Sequence, residues 1–130
     1  MRAVALSNQV FAADSQRSRQ AEERPPIDLV HLARATDGDE SLESELLSMF
    51  DRQSEKLAER VTFADLPRRA RADIAHRLRG SALAIGAFDV AEAAEAVELA
   101  FEGEGEPEAA LAALAKAVAE ARAAIAGLSV

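Results

Sequence analysis

The sequence predicts an all-α protein, an antiparallel up-down four-helix bundle with a short additional N-terminal helix. Three observations predict it. Apolar residues make up 49% of the chain but aromatic residues only 4%, with alanine and leucine dominant, a balance that favours close-packed helices. No stretch alternates β-branched and polar residues, so no strand is expected. Four long segments repeat apolar residues at helical spacing and are joined by short turn-like breaks, which makes consecutive helices antiparallel neighbours.

Residues 1–26 mix Ser, Gln and Arg without a sustained period, and Pro25-Pro26 closes them. They read as a flexible leader to a bundle domain over 27–130, although Val4, Leu6, Val10 and Phe11 can pack locally. Ser7, Asn8 and Gln9 interrupt any export signal. Pro26 suits the first turn of a short helix ending at 34 or 35, with Ile27, Val30 and Ala33/Arg34 as a weak apolar edge. Thr36-Asp37-Gly38-Asp39 is a turn whose last residue can start a helix.

A long helix is predicted over 40–60, with Leu42, Leu46, Met49/Phe50, Gln53 and Leu57 as its buried stripe. Acids lie in its first turn and Arg60 in its last, as the helix dipole favours. The next helix runs over 67–85, with Asp65 as a plausible cap, Pro67 in the first turn and Gly86 placed to end it in a left-handed conformation. Asp89 and Glu92 match a capping box for a helix built on Val90, Ala93/Ala94, Val97 and Phe101. The run 102–106 breaks that helix. Pro107 opens a last one to about 126, built on Leu111, Leu114, Val118, Ala121 and Ile125 and stopped by Gly127.

The chain has no cysteine, so it forms no disulfide or thiolate metal site, which fits a reducing, cytoplasmic setting. No apolar run approaches the roughly 18–20 residues of a membrane span. The net charge of −8 argues against nucleic-acid binding. The charge is unevenly spread: +1 over 1–26, −5 over 27–64, +3 over 65–86 and −7 over 87–130. Residues 65–86 are therefore a basic island in an acidic protein, suited either to solvation or to an acidic partner steered by long-range attraction.

His76 stands in that island. Ile74, Leu78, Ser81 and Ile85 carry the predicted core stripe of its helix, and His76 points roughly 160–200° from the stripe's centre. Arg79 and Gly80 follow at i+3 and i+4 and share its face, and Arg69 lies about two turns earlier. A neutral imidazole keeps a lone pair on one ring nitrogen, which can attack phosphorus and hold a phosphoryl group as a phosphoramidate. Arg79 can offset the charge of that group. Gly80 costs a helix interior about 0.5–1 kcal/mol relative to alanine. Two explanations stand: tight packing on a neighbouring helix, or an open approach for a partner.

The run Ala75-His76-x-Leu78-Arg79-Gly80-Ser81-Ala82, followed by Gly86-Ala87, resembles the signature of histidine-containing phosphotransfer (HPt) domains of bacterial and fungal phosphorelays. Their pattern is a histidine, then a basic residue at +3, Gly at +4, a small residue at +5 and Gly at +10; His76, Arg79, Gly80, Ser81 and Gly86 meet it. The resemblance extends more loosely over 27–125, including the lead-in GDESLESELLSMF. It departs at Arg79, where the family usually has Lys, so a planar fork replaces a point donor.

The resemblance implies a carrier without kinase activity of its own, and the chain has no Gly-rich nucleotide loop. His76 would be phosphorylated, Arg79 would stabilise the phosphoryl group, and Gly80, Ala72, Asp73, Leu83 and Arg69 would form the approach and docking face. Family members often place a polar side chain of the next helix beside the imidazole, and Glu98 is the candidate here. The implied partners are receiver domains of response regulators, with a hybrid histidine kinase as a further candidate. No cofactor of its own is implied, since the receiver supplies Mg²⁺, and the protein is expected to act as a monomer. The competing reading is a helical adaptor that binds a signalling partner through the same face without phosphotransfer. His31 reads as structural or superficial. The histidines and carboxylates show no metal-ligand spacing, and the run 102–108 resembles a calcium loop only in charge.

Overall fold

A computed structural model of the chain describes residues 24–128; residues 1–23, on which most of the expected leader falls, and residues 129–130 lie outside them. Among the described residues five helices follow in order: α1 (Leu29–Ala35), α2 (Glu40–Arg60), α3 (Arg68–Ile85), α4 (Phe88–Glu102) and α5 (Glu108–Leu128). Among the described residues there is no strand. α3 packs most extensively on α4, α4 on α5, α5 on α2 and α2 on α3, which closes a ring of four; α1 leans on α3. The core is built from small and branched residues of all four long helices, including Leu57, Leu78, Val90, Val97, Leu114 and Ile125. Among the described residues no helix is long and apolar enough to cross a membrane.

The helix ends follow local chemistry, with several shifts from expectation. Pro26 precedes the first helix instead of starting it; the Asp28 carboxylate caps α1, accepting the N–H groups of Val30 and His31 at 3.1 Å. Ile27 and Leu32 seat α1 on the bundle, whereas Val30, expected on its apolar edge, is exposed. Asp37 and Gly38 turn the chain with positive φ, and Asp39 accepts the Leu42 N–H at 3.1 Å. Asp65 does not cap α3; Pro67 occupies that position and makes no side-chain cap bond. The supposed capping box is not one. α4 begins one residue before Asp89, and the Asp89 and Glu92 carboxylates instead take hydrogen bonds from Arg24 at 3.0 and 2.6 Å. The chain segment before 27 is thus tied to α4 from Arg24 onward. Gly127 lies inside the last turn of α5, where an exposed helix end tolerates it.

The buried stripe of α2 is Phe50, Ser54 and Leu57, with Leu46 and Leu47 packed at its edge. Leu42, Met49 and Gln53 face outward, contrary to the hydrophobic spacing. Ser54 displaces them because a small side chain lets a neighbouring helix come close, and its hydroxyl is satisfied by the Asp51 carbonyl at 3.3 Å. In α3 the fully buried positions are Ala75, Leu78 and Ala82; Ser81 sits at the edge of the interface.

Two arginines of the basic island hold the bundle together. The Arg68 guanidinium donates to the carbonyls of Ala100, Gly103 and Gly105 at 2.7–3.0 Å, satisfying the C-terminal end of α4. Arg71 stacks on the Phe101 ring with 4.3 Å to its centroid and donates to the Val61 carbonyl at 2.8 Å. On the other side of the bundle Arg122 of α5 bridges Asp51 and Glu55 of α2 at 2.9 and 3.2 Å.

Candidate functional site

The α3–α4 turn decides what meets His76. After Ile85, Gly86 takes φ +82°, the Ala87 N–H reaches back to the Ala82 carbonyl at 2.9 Å, and the Gly86 N–H to Leu83 at 3.4 Å. This Schellman closure leaves almost no loop before α4 starts at Phe88. Two antiparallel helices leaving so short a turn climb at the same 1.5 Å per residue. Positions equally distant from Ala87 therefore face each other across the pair. His76 and Glu98 each lie eleven residues from it.

They meet accordingly. His76 Nδ1 lies 3.0 Å from one Glu98 carboxylate oxygen and 3.3 Å from the other. The His76 side chain is 65% exposed while that of Glu98 is 15% exposed, so a largely covered carboxylate holds one edge of an open ring. An ionised carboxylate only accepts, so the nitrogen facing it must carry the proton. In a neutral imidazole that leaves Nε2 as the atom with the free lone pair, on the edge away from Glu98.

His76, Arg79, Gly80 and Leu83 line one shallow depression. The Arg79 guanidinium shares this depression and has no ion-pair or hydrogen-bond partner among the described residues. Gly80 is not a packing glycine among the described residues, because a Cβ built on it would meet nothing of theirs within 4 Å. That removes one of the two explanations for its presence. Leu83 is 41% exposed at the rim, and Arg69 and Asp73 are exposed on the outer side of α3. Ala72 is not part of that face. It is buried in the bundle core, so it presents almost no surface to a partner. Leu99, beside Glu98, is an exposed leucine that the sequence reading did not name. Its signal was a large apolar residue off the Val90–Val97–Phe101 stripe of its helix.

The other histidine is accounted for by packing: His31 stacks edge-on against Phe88 with ring centroids 5.1 Å apart. Among the described residues no group of three or more potential ligands is placed to hold a metal ion.

No known protein family matches the sequence, and no curated protein matches it either. The fold is similar to the X-ray structure of a rice protein proposed to be a histidine-containing phosphotransfer protein. That likeness has a TM-score of 0.55 and covers 99% of this chain and 89% of the rice chain at 16% sequence identity. At that identity the likeness is one of fold: the chain has a helical-bundle architecture similar to that of the rice protein.

Proposed function

We propose that the protein carries a phosphoryl group on His76 between aspartates of receiver domains. The observation that carries this reading is the 3.0 Å contact of His76 Nδ1 with Glu98, which in the neutral ring places the free lone pair on Nε2, on a ring standing in the solvent. In the step, the Nε2 lone pair attacks the phosphorus of an aspartyl phosphate. A P–N bond forms, the P–O bond breaks, and the aspartate leaves as a carboxylate. The ring becomes cationic as the bond forms, and the Glu98 carboxylate offsets that charge while keeping the Nδ1 proton. Arg79 offsets the charge on the phosphoryl oxygens through charge-assisted hydrogen bonds. The open backbone at Gly80 leaves room for the receiver's own loops beside the ring.

The chain is then an intermediate carrier. It positions a nucleophile and a cation, while the metal ion and the acyl phosphate belong to the partner. Incubation with a receiver domain phosphorylated by acetyl phosphate is expected to label the protein with an acid-labile, alkali-stable phosphate, and the His76→Ala variant is expected to take none. Equal labelling of that variant overturns the reading. A wild-type protein that binds receivers but never acquires label supports an adaptor instead.

A further inference from the structure

A second set of cations converges outside the His76 depression. Lys56 and Arg60 of α2 and Arg77 of α3 line a cleft of about 240 Å³ between the two helices, with Gln53, Leu57 and Ser81 completing its wall. None of the three has an ion-pair or hydrogen-bond partner among the described residues, whereas Arg24, Arg68, Arg71 and Arg122 are all engaged. The arrangement is built into α2. Arg52, Lys56 and Arg60 recur at i, i+4 and i+8, while Asp51, Glu55 and Glu59 form a separate acidic row, of which Asp51 and Glu55 meet Arg122. The acidic row is used within the bundle, whereas Lys56 and Arg60 of the basic row make no polar contact among the described residues.

The cleft is smaller than the roughly 300–1,000 Å³ of small-molecule sites. At ~30 Å³ per water it has room for one or two carboxylate side chains. Its position relative to the imidazole is fixed by α3: Arg77 follows His76 directly and projects about 100° around the helix, with the bare Gly80 between them in helical angle. On the opposite flank α4 presents Glu95, Glu98 and Glu102, which repel an acidic surface.

We infer that the docking footprint runs from His76 across Gly80 to the α2–α3 seam. There Lys56, Arg60 and Arg77 receive carboxylates of an acidic protein partner. That the partner is a receiver domain rests on the function proposed above; the cleft's choice of carboxylates does not. Long-range attraction to such a cleft raises the association rate and is screened by salt.

The test uses the full chain and its Lys56→Glu/Arg60→Glu variant. In an amide-resolved titration at low salt, a hexa-aspartate peptide is expected to shift the signals of residues 53–60 and 77–81 more than those around Arg34 or Lys116. The variant should lose those shifts. Inorganic phosphate at the same concentration moving the same signals as strongly would make the cleft a small-anion site and overturn the inference. In transfer from a phosphorylated receiver domain, the variant's kcat/KM is expected to fall roughly tenfold at low salt and to recover most of that loss at about 0.5 M salt. Chemical phosphorylation of His76 by phosphoramidate, which needs no docking, should proceed as in the wild type. Equal kcat/KM for both proteins would remove the cleft from the footprint and leave phosphotransfer standing. Peptide binding to the cleft in a protein that no receiver labels would do the reverse.

Discussion

The Gly86 carbonyl accepts the Asp28 N–H at 2.9 Å, and a Cβ on Gly86 would stand 2.8 Å from the Asp28 carbonyl oxygen. One residue thus ends α3, starts the α3–α4 turn and seats the short α1 against both. The neighbour it would strike is backbone, so no side-chain rotation relieves the contact.

Gly86→Ala therefore combines left-handed strain with overpacking, and a loss of roughly 2–5 kcal/mol is expected. Urea unfolding measures it. A loss under about 1 kcal/mol would mean that α1 does not sit this close to the turn.

Gly80→Ala should do the opposite. Its extra methyl meets nothing within 4 Å among the described residues, and removing a helix-interior glycine is expected to stabilise the protein by roughly 0.5–1 kcal/mol. The same methyl stands in the approach to His76, so phosphotransfer from a receiver should slow. A variant both more stable and equally fast would show that Gly80 has no part in docking.

Glu98→Ala releases the His76 ring. Long-range nitrogen–proton spectra of the wild type are expected to show the proton on Nδ1, and those of the variant a mixture of both tautomers. A transfer rate reduced about tenfold would correspond to about 1.4 kcal/mol of lost positioning. Glu98→Gln keeps an acceptor oxygen and should preserve the tautomer while losing the charge that offsets the cationic ring. A wild-type ring already protonated mainly on Nε2 would contradict the assigned nucleophile.

Arg71 and Arg69 separate structural from exposed cations. Arg71→Ala removes a stacking contact on Phe101 and the donor to Val61, and roughly 2–4 kcal/mol of stability should go with them. Arg69→Ala is expected to stay within about 0.5 kcal/mol of the wild type, as an exposed side chain without such contacts does. Equal effects in thermal or urea unfolding would undo the division of the basic island into inward and outward members.

How much of this was legible varies by residue. The α2 range came out at 40–60 as its caps and periodicity predict, because acid-rich first turns and a terminal Arg60 are local signals. The α2 stripe did not, since apolar spacing selects Leu42 and Met49 while close helix approach selects Ser54. Asp89 and Glu92 carry the pattern of a cap, and only the approach of Arg24, 65 residues away from Asp89, shows what they bind.

The sequence by itself determined the helices, their antiparallel order and the exposed imidazole with Arg79 and Gly80 on one face, because each depends on 3.6-residue periodicity and on residues within a turn or two. It also contained the register that brings Glu98 to His76, once the α3–α4 turn was known to be as short as Gly86-Ala87 allows. Tertiary structure alone decided which arginines point inward, that Ala72 is covered, that Gly80 answers to no neighbour among the described residues, and that Lys56, Arg60 and Arg77 share a cleft. These depend on which faces of separate helices come together, and that is set by the packing of the whole bundle rather than by any one segment.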